Sequence, residues 1–590
     1  MTPRPPYQLP RAGMTRAAGL YPTVIVGVLL TFLVAFWMGT EVAAGKWRFA
    51  PSLGTPWFGR IYPPWSIVTW MMRYHWSTAA MPVFWAAWKI IGFNIVVGFV
   101  ITFALAVRKS KRYGEPSDIH GSQQLGTTEQ LQENGLLGRA GVYVGMWPVA
   151  GRMAPLVDTG LEPVLIVGPT GSGKDVGIVI PNGLTWLHSL FVLDPKREAW
   201  EHTAGWRAQQ GQRCFTFDPT DTTGGTAKWN VLAEMPGAPK DVAFAQTLAQ
   251  AGLEEEEYTR LDATSSHFTM HAENFLAALF LYIVYFLQDK SFAGGYAFLT
   301  DPARTIDETL QIMVLTGHTY IASAARALLS TGPNERSSIL STARKIFFLY
   351  NDPTVAANTS ASDFCIADLL AEPASFYVTI PTPEIDRCKP LIRMLLYQLL
   401  QALTVQPRSQ DSPFLFLLNE FPLLGNMRVL SAMLPVVRGY GIKVVLPAQD
   451  LNQITRAYGE RESLTGNCKV KVYFRPEKVE TAREISEACG KTTIYVQERT
   501  YTGHRWDWVL THVIANERQV QRTLLTPDEI LRLHDDKELL LYKGVPYLAD
   551  KIRYYDDDGL LARSQIPAPM GGGALCPTNT TPTAWWLTSP

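Results

Sequence analysis

Cysteine is scarce and scattered in this 590-residue chain: six in all (Cys214, Cys365, Cys388, Cys468, Cys489 and Cys576), with none of the paired spacing that ligates zinc. That excludes a disulfide-stapled scaffold and a zinc module, and the six read as reduced thiols of a cytosolic body. An excess of either charge is also missing, since 53 Lys and Arg balance 53 Asp and Glu. A global basic field is therefore excluded, and any contact with nucleic acid has to come from a local groove or channel. Internal repeats are absent. So is a disorder-type composition, because 47% of the residues are hydrophobic, ample for several packed cores.

What is present begins with two long apolar runs. The first, from Thr23 to Met38, follows a segment that carries Arg4, Arg11 and Arg16 and no acid. It is too long for the hydrophobic stretch of a cleaved signal peptide, and a second run follows from about Val83 to Val107, so both read as membrane spans. The cluster Arg108-Lys109-Ser110-Lys111-Arg112 closes the second span and sets the orientation: by the positive-inside rule everything after it is cytoplasmic, and Glu41 to Pro82 form an outside loop. Trp47, Trp57, Trp65, Trp70, Trp76, Trp85 and Trp88 crowd this region, which suits an aromatic belt at the bilayer surface or a small packed core outside it.

Beyond a polar, glycine-containing connector at 113–162, apolar strands alternate with helical patterns. Strands are expected at Ser189 to Leu193, Arg213 to Phe217, Ser375 to Ile380, Phe414 to Leu418, Ile442 to Leu446, Lys469 to Phe474 and Glu538 to Tyr542. This is the pattern of a mostly parallel α/β sheet, occupying 163–230 and 364–560. Between 231 and 363 the strand signal vanishes and helix-spaced segments take over (Asp241 to Leu253, His271 to Leu287, Ile306 to Leu315, Ile321 to Leu329, Ser337 to Leu349), so an all-α insertion is expected there. Phe275 to Leu287 is apolar nearly all round and too short to span, hence a buried helix. Glu254 to Glu257 reads as a solvated run, and 561–590 as a flexible tail.

The chemistry centres on Leu165-Ile166-Val167-Gly168-Pro169-Thr170-Gly171-Ser172-Gly173-Lys174-Asp175, an apolar strand feeding a glycine-rich turn, with Val176 to Ile180 opening a helix. Backbone N–H groups of such a turn converge on one anion, the helix N-terminus adds partial positive charge, and Lys174 can reach the β and γ phosphates. Gly168 through Val176 are thus the expected contacts of ATP. The position after the lysine usually holds a Ser or Thr hydroxyl toward Mg²⁺; here it is Asp175. A second strand, Phe414 to Leu418, ends in Asn419-Glu420. A carboxylate at Glu420 can orient and deprotonate an attacking water, while its neighbour, usually an acid supporting Mg²⁺, is the amide Asn419. The two departures are read as linked, with Asp175 supplying the charge that Asn419 lacks; these two are the expected metal-facing residues. Gln449, at the end of a strand expected between the other two, is placed to sense the γ-phosphate. Arg438, just before that strand, is a candidate to reach a neighbouring subunit's nucleotide.

Taken in order, two N-terminal spans, Gly-Pro-Thr-Gly-Ser-Gly-Lys at 168–174, Leu-Asp-Pro-Lys at 193–196, Trp229-Asn230, Ser362-Asp363-Phe364, Asn419-Glu420-Phe421-Pro422-Leu423-Leu424-Gly425, the Gln449 strand end, Thr481 to Ser486, Arg522 to Glu529 and Lys551 to Tyr555 resemble the VirD4/TraG coupling proteins of type IV secretion and conjugation. The resemblance implies a RecA-like P-loop ATPase domain with an inserted all-α domain behind a two-helix membrane anchor (1–112). It implies a bacterial inner-membrane location, a homo-hexameric ring, and ATP with Mg²⁺ as ligands. Its partners would be the secretion channel and either a relaxase with attached single-stranded DNA or protein effectors. Two other readings are an FtsK-like double-strand DNA translocase, whose further spans, long linker and terminal DNA-reading domain are not found, and a nucleotide-binding docking scaffold with little hydrolysis.

Overall fold

A computed structural model describes residues 21–112, 123–138, 140–253, 263–502 and 512–569. These described residues divide into two compact units, one drawn from the stretches 1–122 and 492–522 and the other from 123–491 and 523–590. The arginines before residue 20, the segment 113–122, the acidic run 254–257 and the end of the tail lie outside the described residues.

In the first unit, helices Tyr21–Lys46 and Met81–Arg112 are longer than the apolar runs alone suggest, and each carries a stretch long and apolar enough to cross a membrane, Val24–Lys46 and Met81–Leu105. They pack antiparallel along small residues: Gly27 meets Thr102, Thr31 meets Gly98, and Gly39 meets Ile91. Between them the tryptophans divide. Trp47 packs edge-on against Trp70, Tyr74 and Phe84 at 5.9, 6.2 and 5.3 Å, a small aromatic core tied by Trp70 Nε1 donating to the Leu53 carbonyl. Trp57, Trp65 and Trp76 are exposed. Strands β10 (Lys491–Thr502) and β11 (His512–Thr523), which the sequence reading does not anticipate, pair with each other as a separate two-stranded sheet.

The second unit is built on an eleven-stranded sheet. Its strands are β1 (Val142–Val149), β2 (Arg152–Asp158), β3 (Val164–Val167), β4 (Leu190–Leu193), β5 (Arg213–Phe217), β6 (Ala374–Val378), β7 (Phe414–Leu418), β8 (Ile442–Ala448), β9 (Val470–Tyr473), β12 (Lys537–Tyr542) and β13 (Val545–Asp550), in the order β2-β1-β13-β12-β9-β3-β8-β7-β4-β6-β5. From β9 to β5 every pairing is parallel, with Val167 opposite Ala448 and Leu193 opposite Leu418. These strands are continuous runs of branched and aromatic residues because both faces are covered. Alternate residues divide between two cores: Leu165, Phe191 and Phe416 on one face, Ile166, Leu190 and Leu417 on the other.

Residues 123–158 are not a connector. They supply the helix Thr128–Glu133 and strands β1 and β2, and with β12 and β13 they extend the sheet as an antiparallel flank. The tail also begins later than expected, because the helix Asp558–Ser564 is packed through Arg563, which lies over the Trp206 ring at 4.6 Å.

Between β5 and β6 the described residues hold helices and no strand, as the periodicity requires. The long helix is Ala263–Phe286, and its last 20 residues reach spanning length, correcting the shorter expectation. Phe275, Leu276, Phe280 and Ile283 are nevertheless buried among the other helices. Where the chain leaves and re-enters the sheet, Lys228 N donates to Asp363 Oδ2 at 2.8 Å, Asp363 N donates to the Lys228 carbonyl at 2.9 Å, and Asn230 N donates to Ser362 Oγ at 3.0 Å. The buried residues of the helical layer and of one sheet face form a single continuous apolar cluster.

Candidate nucleotide site

The strand ends place the expected residues side by side. β8 lies between β3 and β7, so Gln449 stands between the phosphate-loop strand and the strand ending in Asn419-Glu420. Gly171 and Gly173 adopt φ of 76° and 93°, backbone that side-chain-bearing residues resist, which lets the loop turn back on itself. Lys174 is buried, and its Nζ donates to the carbonyls of Gly168 and Pro169, so it is folded over its own loop. Burial lowers its pKa, while the charges of Glu420 and Asp175 work in the opposite direction. The loop leads into a wide turn at Asp175–Val179 and then the helix Ile180–Thr185. Pro181 has no N–H to give to the Gly177 carbonyl, which suits a wide turn in place of the regular helix start expected from Val176.

Asp175 and Asn419, 244 residues apart in the chain, meet directly: Asn419 Nδ2 donates to Asp175 Oδ1 at 2.6 Å. The other oxygen, Oδ2, accepts from Lys196 Nζ at 2.9 Å. Burial works to lower the Lys196 pKa, but the hydrogen bond and charge of Asp175 prevail and hold it above the usual lysine value. Glu420 sits at the tip of β7 with φ of 55°, a left-handed conformation that costs a residue with a Cβ about 1 kcal/mol and that concentrates at functional sites. Gln449 Oε1 accepts from Gln453 Nε2 at 3.4 Å, and its N–H donates to Gln453 Oε1 at 3.3 Å.

Arg438 is not brought to this group. It lies in the turn Val437–Tyr440 before β8, at the opposite end of that seven-residue strand from Gln449. That separation is roughly 20 Å along an extended chain. Its guanidinium faces Glu162 Oε1 at 3.4 Å.

Three more residues join the site; the sequence places them within the motifs Leu-Asp-Pro-Lys at 193–196 and Lys551 to Tyr555 without assigning them a role. Lys196 is the first. Asp194, at the tip of β4 and buried, accepts from Trp200 N at 2.9 Å; burial first, and then the charges of Asp175 and Glu198, push its carboxyl up to about 7 against the backbone donors of the helix it caps. Lys551, beyond β13, donates to the Ser172 carbonyl at 2.9 Å and lies 4.5 Å over the Phe474 ring, bracing the loop from outside. The signal for a role was positional: each is a charged residue of a quoted motif standing just past the end of a strand, β4 or β13.

The donor atoms fit a small hard cation. Asn419 Oδ1 and Ser172 Oγ are both buried and have no hydrogen-bond partner in the protein, and Asp175 adds a carboxylate next to Asn419. An all-oxygen set with one carboxylate, completed by phosphate oxygens, is what Mg²⁺ takes. The arrangement can hold a triphosphate over the loop, a metal between the loop and β7, and a water near Glu420.

Residues 122–571 match the model of a protein family described as "Type IV secretory system Conjugative DNA transfer". The chain is 33% identical to the conjugal transfer protein TraG of Escherichia coli over 90% of its own length and 91% of that protein. It is 26% identical to the protein VirD4 of Rhizobium radiobacter over 81% of its own length and 69% of VirD4. Among solved structures, the plasmid coupling protein TrwB in complex with ADP and Mg²⁺ superposes with a TM-score of 0.53 at 15% identity, covering 77% of this chain and 95% of that one, and so shares its fold.

Proposed function

Since this chain belongs to the type IV secretory system conjugative DNA transfer family, we propose that it is the coupling ATPase of such a system, an inner-membrane protein that takes substrates to the secretion channel and spends ATP on their passage. The observation that carries the reading is the gathering of Lys174, Asn419-Glu420 and Gln449 at the ends of three adjacent strands, β3, β7 and β8. A P-loop lysine, a strand-end glutamate and a polar residue between them are the parts that bind a triphosphate, activate a water and sense the γ-phosphate.

In this reading the backbone of 168–174 cradles the phosphates, and Lys174 leaves the carbonyls of its own loop for the β and γ oxygens. Glu420, held forward by its left-handed backbone, orients the water and takes its proton. Gln449 reports the presence of the γ-phosphate to the helix that starts at Leu451, through Gln453. Mg²⁺ would supply charge neutralisation on the phosphates, held by Asn419 Oδ1 and Asp175. The plasmid coupling protein TrwB was solved with ADP and Mg²⁺ on the same fold, which supports this pair of ligands.

In this reading the two N-terminal helices long and apolar enough to span anchor the chain in the inner membrane, the sheet is cytoplasmic, and the working form is a homo-hexameric ring. The relatives' conjugal role favours relaxase-bound single-stranded DNA as substrate over protein effectors alone. Such DNA, in a ring's channel, is gripped mainly through phosphate. The test is Mg²⁺-dependent ATP hydrolysis by the detergent-purified protein, with and without single-stranded DNA, beside Lys174→Ala and Glu420→Gln. Turnover that rises with DNA and disappears in both variants is expected. Nucleotide binding with no turnover, even with the secretion partners added, refutes the motor and leaves a docking scaffold.

A further inference from the structure

Lys196 follows β4 by three residues and reaches across to the phosphate-loop helix, where its Nζ is 2.9 Å from Asp175 Oδ2. The second oxygen of that carboxylate is taken as well, by Asn419 Nδ2 at 2.6 Å. An ionised carboxylate only accepts, so Asn419 has to turn its NH₂ toward Asp175, which leaves its own Oδ1 on the other side, buried and without a donor. Both oxygens of the acid beside the loop are thus engaged by donors of the chain itself. The local charges, Lys174 and Lys196 against Asp175 and Glu420, balance without any ligand.

We infer that Lys196 is an internal cation of the nucleotide site, holding Asp175 while no metal is present and yielding its place to the divalent ion that arrives with a nucleoside triphosphate. The inference rests on the nucleotide reading above. Lys196 acts through Asp175 and is therefore a positioning residue. Its side chain is 42% exposed against 16% for Asp175, so the lysine has water to swing into while the carboxylate stays aimed by Asn419. The pairing has two opposite consequences. In the absence of metal it masks a negative charge that repels the triphosphate. In its presence it competes for the oxygen the metal needs, raising the Mg²⁺ concentration at which the site fills.

The experiment is binding of a fluorescent ATP analogue to the full chain in detergent, titrated with Mg²⁺ out of an EDTA buffer, for the parent, Lys196→Ala and Lys196→Arg. Lys196→Ala is expected to weaken binding in EDTA by about threefold and to lower the half-saturating Mg²⁺ by about fivefold, the scale of one partly exposed ion pair. Lys196→Arg restores both parent values. Loss of fold weakens binding at every Mg²⁺ concentration and does not give shifts of opposite sign. A parallel loss across the titration, or an unmoved Mg²⁺ midpoint, overturns the inference. If the parent itself binds no analogue at any Mg²⁺ concentration, the nucleotide reading falls and the inference with it.

Discussion

Asn419→Asp, which restores the acid usual at this strand position, is expected to harm this protein. Asn419 now gives an N–H to Asp175 at 2.6 Å. An aspartate has no N–H to give and sets a second carboxylate against the first. Two like charges about 4 Å apart repel by roughly 4 kcal/mol at an effective dielectric near 20, and the lost charge-assisted hydrogen bond adds about 2 kcal/mol. Lys196, at 2.9 Å from Asp175, offsets part of the repulsion, and protonation of one carboxylate relieves more. A net loss of about 3 kcal/mol is therefore expected in Mg²⁺-free buffer. Adding Asp175→Ser removes the repulsion and sets a hydroxyl beside a carboxylate, so the double variant recovers at least about 2 kcal/mol of the loss. The assay is the urea midpoint of the four proteins of the cycle, followed by tryptophan fluorescence in EDTA and again in excess Mg²⁺. Magnesium should rescue Asn419→Asp selectively, because a divalent ion between two carboxylates converts repulsion into coordination. Additive losses in the double variant, or a single variant indistinguishable from the parent in EDTA, refute the reasoning.

Glu420→Gln keeps the shape of the strand end and loses the base, so binding of an ATP analogue should stay within about twofold of the parent while turnover falls at least about 100-fold; a comparable loss in both would make Glu420 a binding residue. Glu234 is fully buried, and both Trp229 Nε1 and Ile366 N donate to its Oε1; burial pushes its carboxyl up to about 7. The folded chain therefore keeps a proton that the unfolded chain releases near 4.5, so this group's contribution falls as pH rises from about 4.5 to about 7 and is level above that. Glu234→Gln retains both hydrogen bonds and should be stabilised over the parent by about 2–3 kcal/mol at pH 8, with little difference at pH 4.5; an equal effect at both pH values in denaturant midpoints would sink this account. A Cβ at Gly205 would lie 2.1 Å from the Ile566 carbonyl oxygen and 2.4 Å from that of Pro567. Gly205→Val should thus release the segment 558–569, costing about 1–3 kcal/mol and producing early cleavage there in limited proteolysis; a parent-like digestion pattern would contradict it.

The parallel strands were legible because burial on both faces leaves nearly unbroken apolar runs, as in Phe414 to Leu418. β1 and β2 were not, because Gly145, Pro148 and Pro155 interrupt them and the flank is only partly buried, so neither a continuous run nor a clean alternation survives. The phosphate loop was readable because all its parts are local. That Asp175 and Asn419 depart together was also readable, as complementary exceptions, and the contact between them gives that link a physical form. The roles of Lys196 and Lys551 were hidden because each reaches its partner across the fold, 21 and 379 residues away in sequence. Arg438 stands before a strand whose far end carries the site, so it takes no part in its own chain's site, and a role toward a neighbouring subunit's nucleotide is a matter of assembly that one chain does not test.

The apolar cluster that runs without a break from the helical layer into one face of the sheet has a mechanical consequence. A hinge needs a seam along which few side chains interlock, and close-packed interiors resist shear. Among the described residues no such seam separates the helices from the strands that carry the nucleotide residues. In the proposed ring, such packing would make the subunit a lever and not a jaw. Under the proposed ATP cycle, a small displacement at the tip of β7 or β8 would then be carried as a tilt of the whole helical layer, and the work of the cycle would leave through the outer surfaces of the subunit.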